Sequence, residues 1–248
     1  MSGVLGAGLF GIQPAMAELV ISRSGWGGEN LAKVALTGAN ARQQLLVTES
    51  LGDGSVVDQT RRAALRAEPA GLVRITDGLV EPLGNGSGLI TAHIDTGKTA
   101  SIPFEVAAVA SEKPINFGNS IVPLFTKHGC NGGGCHGKSG GQNGFKLSLL
   151  GFEPQEDYEY LLREARGRRL FPAAPERSLL LLKATGQLPH GGGSRIDPGS
   201  FDYRAIVKWM RQGMPYGNPD DPKLEAIEVH PPERIMKPES RQQLVVLA

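Results

Sequence analysis

Two cysteines and one histidine lie close together near the middle of the sequence. The only cysteines are Cys130 and Cys135, with four residues between them, and His136 follows directly. Two cysteines followed at once by a histidine are typical of c-type haem attachment, although the cysteines are normally two residues apart. The thiols add to the two vinyl groups, and the histidine binds the iron as an axial ligand. We therefore predict one haem c held by Cys130 and Cys135, with His136 as proximal ligand.

The wide cysteine spacing has a physical explanation. The two vinyl groups stay the same distance apart, so a longer loop must bulge away from the porphyrin. Three of the four intervening residues are Gly132, Gly133 and Gly134. Glycine tolerates unusual backbone angles and a close approach to a flat ring, so this loop is able to bulge.

Other interpretations of the same residues stay open. A Cys130–Cys135 disulfide would close a small loop but leave His136 unexplained. A zinc site with His128, His136 or His190 would lack further thiolates, and its spacing is unlike that of zinc fingers and ribbons. A redox dithiol is a third option, although four intervening residues differ from the thioredoxin pattern.

A second axial ligand is predicted from the loop Leu188–Gly193. His190 follows a proline and precedes three glycines, between two predicted helices, and such a loop delivers the distal ligand in small haem-binding domains. Two histidine ligands favour a lower reduction potential than a His/Met pair. An iron left open or bound to water is a further alternative. The other candidate ligands are Met214, Met210, Met236, His128 and His93.

Charge and composition exclude several classes of protein. Lys plus Arg number 26 and Asp plus Glu 25, so the net charge of +1 gives no footprint for nucleic acid. Gly and Pro supply 34 and 17 of the 248 residues, which argues against a helix bundle. No apolar run reaches the roughly 18 residues that a membrane span needs.

The first 17 residues resemble a processing signal. A short apolar run precedes Ala15-Met16-Ala17, a pattern that predicts cleavage before Glu18. No basic residue precedes the run, and a buried N-terminal strand is the alternative. A signal segment at 1–17 predicts a periplasmic, secreted or cell-surface protein.

Residues 18–108 are predicted to form strands. Asp53-Gly54 and Asp77-Gly78 each lie between apolar runs, and Asp-Gly in that position is typical of a tight hairpin turn. Short strands with turns at this spacing predict a β-sandwich over 18–108, with one edge of a larger sheet as the alternative.

The periodicity changes after a linker at 107–116. Helices are predicted at 120–128, 155–169, 178–185 and 200–212. Caps and apolar spacing indicate most of them, with Asn119 or Ser120 as the first cap. The helix at 155–169 is predicted from acidic residues early and from Arg166, Arg168 and Arg169 late, which match the helix dipole. Val122 and Phe125 are expected to pack with Ile206 and Met210. The pattern therefore predicts a multidomain chain, with a β-sandwich followed at 115–216 by a mostly α domain.

One short segment occurs twice. Residues 42–47, Arg-Gln-Gln-Leu-Leu-Val, recur at 241–246 as Arg-Gln-Gln-Leu-Val-Val. We therefore expect 224–248 to be the start of a truncated second immunoglobulin-like domain. A lone piece of this length cannot bury its apolar face. The chain is accordingly expected to be a fragment of a longer polypeptide, or this tail to be disordered or to pack elsewhere.

Several motifs lie between Ile115 and Pro215: Pro123–Cys130, Cys135-His136-Gly137, Asn143–Leu149, Gly167-Arg168-Arg169, Pro175–Leu180, Pro189–Gly193 and Trp209 before Gly213. Together they resemble the planctomycete cytochrome c-type domain family. Simpler relatives carry a methionine near the position of Pro189-His190.

The N-terminal part carries Gln43-Gln44-Leu45, Asp53-Gly54-Ser55 and Gly78–Gly84. In these segments it is similar to bacterial immunoglobulin-like group 2 domains. The two resemblances imply a multidomain fold class, with an immunoglobulin-like sandwich at 18–108 followed at 115–216 by a mostly α cytochrome c-like domain.

The residues and the resemblance together predict electron transfer by a covalently bound haem in an exported, cell-envelope protein. Its expected partners are a redox protein of unknown identity and further domains of a longer polypeptide, with no nucleic acid and no membrane span. We expect an electron-transfer module more than an enzyme. The alternatives are a non-redox surface scaffold closed by a Cys130–Cys135 disulfide and a haem enzyme such as a peroxidase.

Overall fold

A computed structural model describes residues 18–22, 33–111 and 113–247. Within these ranges the chain forms two compact units. One comprises the described residues of Met1–Glu112 together with Leu224–Ala248, and the other is Lys113–Lys223. The proposed signal segment 1–17 lies outside the described residues.

The first unit is built from strands. Within the described residues they are β1 Leu19–Ser22, β2 Val34–Thr37, β3 Gln43–Gln44, β4 Leu46–Ser50, β5 Val56–Asp58, β6 Ala64–Glu68, β7 Val73–Thr76, β8 Leu79–Pro82, β9 Gly86–His93, β10 Thr99–Ala107, β11 Glu228–His230 and β12 Val245–Leu247. The sheet orders are β1-β4-β5, β2-β10-β9-β6, β3-β8-β7 and β11-β12. Strands β10 and β2 pair in parallel, and the other pairs are antiparallel.

Turn chemistry sets the register of the β7–β8 hairpin. Thr76 pairs with Leu79, so Asp77 and Gly78 form a two-residue turn. Their φ angles are 50° and 81°, as the predicted type I′ turn requires. A side chain on Gly78 would also meet the Gln44 side chain at 2.7 Å.

Alternating side chains of these strands bury one apolar core. In β10 the buried residues Ile102, Phe104 and Val106 alternate with exposed ones. They pack with Val34, Leu36 and other apolar residues of the unit. The alternation follows from the period-2 geometry of a strand.

The two copies of the Gln-Gln segment share one local conformation. Gln43 and Gln44 each donate from Nε2 to the next residue's carbonyl, at 2.9 and 3.0 Å. Gln242 and Gln243 do the same, both at 2.9 Å. The expectation of a truncated second domain at 224–248 stays a prediction.

The second unit contains short helices connected by long loops. The helices are α1 Val122–Lys127, α2 Pro154–Leu162, α3 Leu179–Ala184 and α4 Phe201–Arg211, with a wide turn at Phe117–Ile121 before α1 and single turns at Leu149–Gly151, Glu164–Gly167 and Pro175–Arg177. Helix α4 follows its local signals closely. The Ser200 side chain caps it by accepting from the Tyr203 amide, and Gly213 has a φ of 80° just beyond its end.

The predicted fold class is wrong. In the described part of the chain, 26% of residues are in strands and 21% in helices. The α-helices have only 6, 9, 6 and 11 residues, so the second unit is not a mostly α cytochrome c-like domain. The helix predicted at 155–169 ends at Leu162, because Ala165 and Arg166 have φ angles of 52° and 61° that a right-handed helix cannot contain.

The start of the first helical segment also differs from expectation. Its capping side chain is Asn116, which accepts from the Asn119 amide at the start of the wide turn Phe117–Ile121, rather than Asn119 or Ser120. Ile121, directly before α1, makes no side-chain cap. Val122, Phe125, Ile206 and Met210 lie in one buried core, as expected. Among the described residues, no helix has the length and apolar character needed to cross a bilayer.

Candidate cofactor site

One cavity of about 510 Å³ in the second unit gathers the predicted site residues. Cys130, Cys135, His136 and His190 all line it. Its apolar walls include Phe125, Leu147, Leu179 and Leu180. This volume lies within the range of about 300–1,000 Å³ that is usual for cofactor sites.

The cysteine loop is fixed by its own backbone. Directly after α1, the Cys130 amide donates to Phe125 O at 2.8 Å. The Cys135 amide donates to Gly132 O at 2.9 Å, and the His136 amide donates to Cys130 O at 3.0 Å. These bonds fold the glycine segment back on itself, so Cys130, Cys135 and His136 face one cavity despite the wide spacing.

Asn131 anchors the loop in the protein interior. Asn131 is only 1% exposed. Its side-chain Nδ2 donates to Thr126 Oγ1 at 2.8 Å, and its main-chain carbonyl accepts from the Leu150 amide at 3.0 Å. Gly137 lies against this backbone, since a Cβ there would be 1.9 Å from Asn131 O. A glycine is therefore required directly after His136 for steric reasons.

His136 is held in one tautomer. Its Nδ1 lies 3.0 Å from Phe145 O, and a carbonyl only accepts, so Nδ1 carries the proton and donates. In the neutral ring Nε2 then keeps its lone pair, which is the state of a metal-binding histidine. Burial lowers the pKa of His136, and the bond to Phe145 O opposes this effect without cancelling it.

His190 has the same arrangement in a different loop. Its Nδ1 donates to Gly193 O at 2.8 Å, which again leaves Nε2 unprotonated in the neutral ring. The preceding carbonyl of Pro189 accepts from Lys183 Nζ at 2.8 Å, and this bond ties the loop to α3. The rings of His136 and His190 are parallel within 5°, with centroids 6.4 Å apart.

Both cysteines are unpaired and partly buried. Burial raises the pKa of the Cys130 thiol to about 11, with a smaller contribution from Cys135, and the Arg195 charge opposes it. Reactive dithiols and zinc ligands need a stabilised thiolate, and this environment has the opposite effect. The described residues also contain no cluster of three or more His, Cys, Asp or Glu side chains suited to a metal ion.

The other candidate ligands lie elsewhere. The Nε2 of His128 bonds to Asp202 Oδ2 at 2.8 Å, and the Lys127 ammonium reaches the same oxygen at 2.7 Å. Met210 is buried, and its sulfur accepts from Ser178 Oγ at 3.1 Å. Met214 packs on the edge of the same core.

His93 and Met236 belong to the first unit. Among the described residues, the histidines and methionines that line the cavity are therefore His136 and His190 alone.

Sequence reasoning missed the cations of the cavity. Arg168, Arg169, Lys183 and Arg195 line it, and no Asp or Glu among the described residues does. Arg169 is buried, donates to the carbonyls of Tyr160 and Glu164, and lies 4.6 Å from the centre of the Phe145 ring. From the sequence alone, Arg168 and Arg169 are explained as charges at the C-terminus of a helix, whereas in the structure both line the cavity. The motif Gly167-Arg168-Arg169 was the available signal for these two cations.

Known proteins give little that resembles this chain. No family model matches it, and no curated protein does. Among solved structures nine chains match. One is a crystal structure of an intimin mutant of EHEC O157:H7, with 16% sequence identity and a TM-score of 0.27. The match covers 43% of this chain and 57% of the intimin chain.

Proposed function

We propose that this protein binds one haem covalently through Cys130 and Cys135 and uses it to transfer electrons. The observation that carries the proposal is the pair of parallel imidazoles, His136 and His190, in a cavity that both cysteines line. Each ring has Nδ1 on a main-chain carbonyl. Each therefore offers Nε2 as a ligand atom.

The separation of the two rings fits one metal ion held between them. An imidazole nitrogen binds a metal at about 2 Å, and the ring centre lies about 1 Å behind that nitrogen, so two rings sharing one ion should have centroids about 6 Å apart. The observed separation is 6.4 Å. The apolar walls at Phe125 and Leu147 suit a flat aromatic macrocycle.

The cysteines suit a thioether linkage. At neutral pH the Cys130 sulfur is a protonated thiol, because burial raises its pKa to about 11. In the attachment step each S–H adds across one vinyl group: a carbon–sulfur bond forms, and the thiol hydrogen moves to the other vinyl carbon. Nothing is oxidised or released, and the product sulfur is neutral and remains compatible with its buried position.

The two histidines favour electron transfer over catalysis. A bound haem supplies reversible one-electron oxidation and reduction of its iron. His136 and His190 would both hold the haem iron, and two protein ligands would leave it no free position for a substrate. Each Nδ1 keeps its proton on a carbonyl, so neither ring needs to exchange a proton for the electron to move.

The cellular setting belongs to the same proposal. Covalent haem attachment takes place in exported proteins, so we place this one in the periplasm or at the cell surface. The resemblance of its motifs to the planctomycete cytochrome c-type family supports this setting. A redox protein and further domains of a longer polypeptide would be its partners.

The test uses full-length protein exported from a host with a cytochrome maturation system. We expect a visible haem spectrum and a pigment that stays with the polypeptide after acid–acetone extraction. The Cys130→Ala/Cys135→Ala double variant should carry no extraction-resistant haem, and His136→Ala should lose its low-spin spectrum. His93→Ala, in an exposed histidine of the first unit, is the matched control and should keep both properties.

A colourless wild-type protein from that host would overturn the proposal. A mass lower by two hydrogens in the colourless protein would instead support the disulfide-closed scaffold. Haem that is present but fully extracted by acid–acetone would contradict the covalent linkage.

A further inference from the structure

The cavity combines apolar walls with positive charge. Besides its two histidines and two cysteines, its titratable lining residues are Arg168, Arg169, Lys183 and Arg195. No carboxylate from the described residues lines it to balance them. A pocket of this kind suits a flat apolar molecule that also carries carboxylates.

Three of these four cations already have partners inside the protein. Arg169 is buried and donates to the carbonyls of Tyr160 and Glu164. Lys183 donates to Pro189 O, and Arg195 Nε donates to Gly192 O at 2.7 Å.

Arg168 differs from the other three. Its side chain is exposed and makes no hydrogen bond or ion pair with any described residue. A guanidinium with all its donors available binds a carboxylate bidentately.

Arg195 lies beside the cysteine segment. Its guanidinium reaches within 4.0 Å of the place where a Cβ of Gly129 would lie, directly before Cys130. A haem carries its two carboxylates on the edge opposite its two vinyl groups. Arg195 therefore lies on the side of the thioether linkage, away from those carboxylates.

We infer that Arg168 binds a carboxylate of the bound porphyrin and so fixes which edge of the ring faces the part of the cavity lined by Arg168, Arg169, Leu179 and Leu180. The inference rests on the proposed function, since it concerns the same bound group. It assigns Arg168 a role in orienting the ring, whereas the cysteines provide the covalent attachment.

The first experiment uses the full-length apoprotein and two probes. Iron(III) mesoporphyrin has ethyl groups in place of vinyl groups, so it cannot form thioethers, and its dimethyl ester lacks the negative charges. In absorbance titrations we expect wild-type protein to bind the free acid about tenfold more tightly than the ester, the size of one charge-assisted hydrogen-bonded contact. Arg168→Gln should reduce this ratio to near one.

Arg177→Gln is the matched control, because it removes the same charge at an exposed arginine that does not line the cavity. It should keep the tenfold preference. Arg168→Lys should restore only part of it, since an ammonium lacks the planar fork of a guanidinium. Circular dichroism of the variants checks that each is folded.

The second experiment uses the matured holoprotein and so does not depend on reconstitution. Its midpoint potential is measured against pH. Loss of a neighbouring cation raises the pKa of a carboxylic acid. Arg168→Gln should therefore shift the pH range over which the midpoint potential changes upward by about one pH unit. Arg177→Gln should leave that range unchanged.

The outcomes separate this inference from the proposed function. If Arg168→Gln keeps both the tenfold preference and the wild-type pH profile, the inference is wrong while haem binding stands. If neither probe binds and the matured protein is colourless, both fail. If neither probe binds but the matured protein is coloured, the pH profile decides.

Discussion

Replacing Gly137 with alanine should disrupt the cysteine loop through one steric contact. The added Cβ would lie 1.9 Å from Asn131 O and 2.6 Å from Asn131 C. Non-bonded heavy atoms settle near 3.5–4.0 Å, so the two backbone segments would have to separate by more than about 1 Å. Gly137 does not adopt a positive φ, so the alanine is disfavoured by this collision rather than by its backbone angles.

The cost can be worked out from the contacts that would move. Overpacking of a well-packed site costs about 1–3 kcal/mol. Separation would also weaken two backbone hydrogen bonds, Leu150 N to Asn131 O and Gly137 N to Gly132 O, at 3.0 and 3.1 Å, which contribute about 1 kcal/mol each. We expect Gly137→Ala to lower the free energy of unfolding of the second unit by about 3–5 kcal/mol.

The decrease in the free energy of unfolding is measured by urea unfolding of the apoprotein, with tryptophan fluorescence as the signal. Trp209 is fully buried in the second unit, and a Trp26→Phe background leaves it as the reporter. Covalent haem content after maturation is the second readout and should fall with stability, because Cys130, Cys135 and His136 would no longer share one geometry.

Gly134→Ala makes the same chemical change in the same loop. A Cβ at Gly134 meets nothing within 4 Å, so its effect should stay within about 0.5 kcal/mol. If Gly137→Ala equals Gly134→Ala in apoprotein stability, the described packing of the loop on Asn131 is refuted.

Three further changes test the site and its support. His190→Ala should give a coloured, high-spin protein that binds cyanide at neutral pH, and an unchanged spectrum would exclude His190 as a ligand. Burial by itself raises the pKa of Asp202, but hydrogen bonds from Lys127 and His128 outweigh it and leave that pKa below its ordinary value. The ionised Asp202 carboxylate therefore stabilises the fold above about pH 4, the ordinary pKa of an unfolded aspartate. This stabilisation is lost as the pH falls through the pKa of Asp202 in the folded protein, which is the lower of the two. Asp202→Asn should remove that dependence and cost about 1–2 kcal/mol at pH 7, as measured by urea unfolding between pH 3 and 7. With a pKa of about 11, Cys130 in a Cys135→Ser apoprotein should react with iodoacetamide at pH 8 about a hundredfold more slowly than an exposed thiol, and an ordinary rate would contradict its burial.

Features set by neighbouring residues were predictable from the sequence. The Asp77-Gly78 turn forms because a two-residue hairpin needs positive φ at both positions. Helix α4 begins after Ser200 and ends before Gly213, since a serine side chain and a positive-φ glycine satisfy its two ends.

The end of α2 shows why the fold class was mispredicted. The basic residues 166–169 suit a helix C-terminus, so charge pattern alone favoured one long helix. In the structure Arg169 is turned inward and bonds to the carbonyls of Tyr160 and Glu164. These contacts stabilise a short turn at Glu164–Gly167 instead of a continuation of α2. They depend on tertiary packing, which the local sequence pattern does not encode.

The residues of the candidate site likewise differ in how far the sequence alone predicts them. The residue types and order of Cys130, Cys135 and His136 predict that they act together, and in the structure all three line one cavity. His190 needed an argument about loop position, and its approach to His136 is visible only in the folded chain. Arg168 belongs to the Gly167-Arg168-Arg169 motif, but the role proposed for it depends on its side chain having no hydrogen bond or ion pair with the described residues.

The orientation of both imidazoles is set by main-chain atoms. Phe145 O lies nine residues after His136 and Gly193 O three residues after His190, yet each fixes a proton on Nδ1. Because a main-chain carbonyl remains when its side chain is replaced, no single side-chain substitution at Phe145 or Gly193 deletes either acceptor. Two unrelated loops thus produce the same tautomer, and the orientation of the imidazoles depends on loop conformation more than on the identity of any neighbouring side chain. Substitutions that move a loop, as at Gly137, should therefore affect the site more than substitutions that only change its lining.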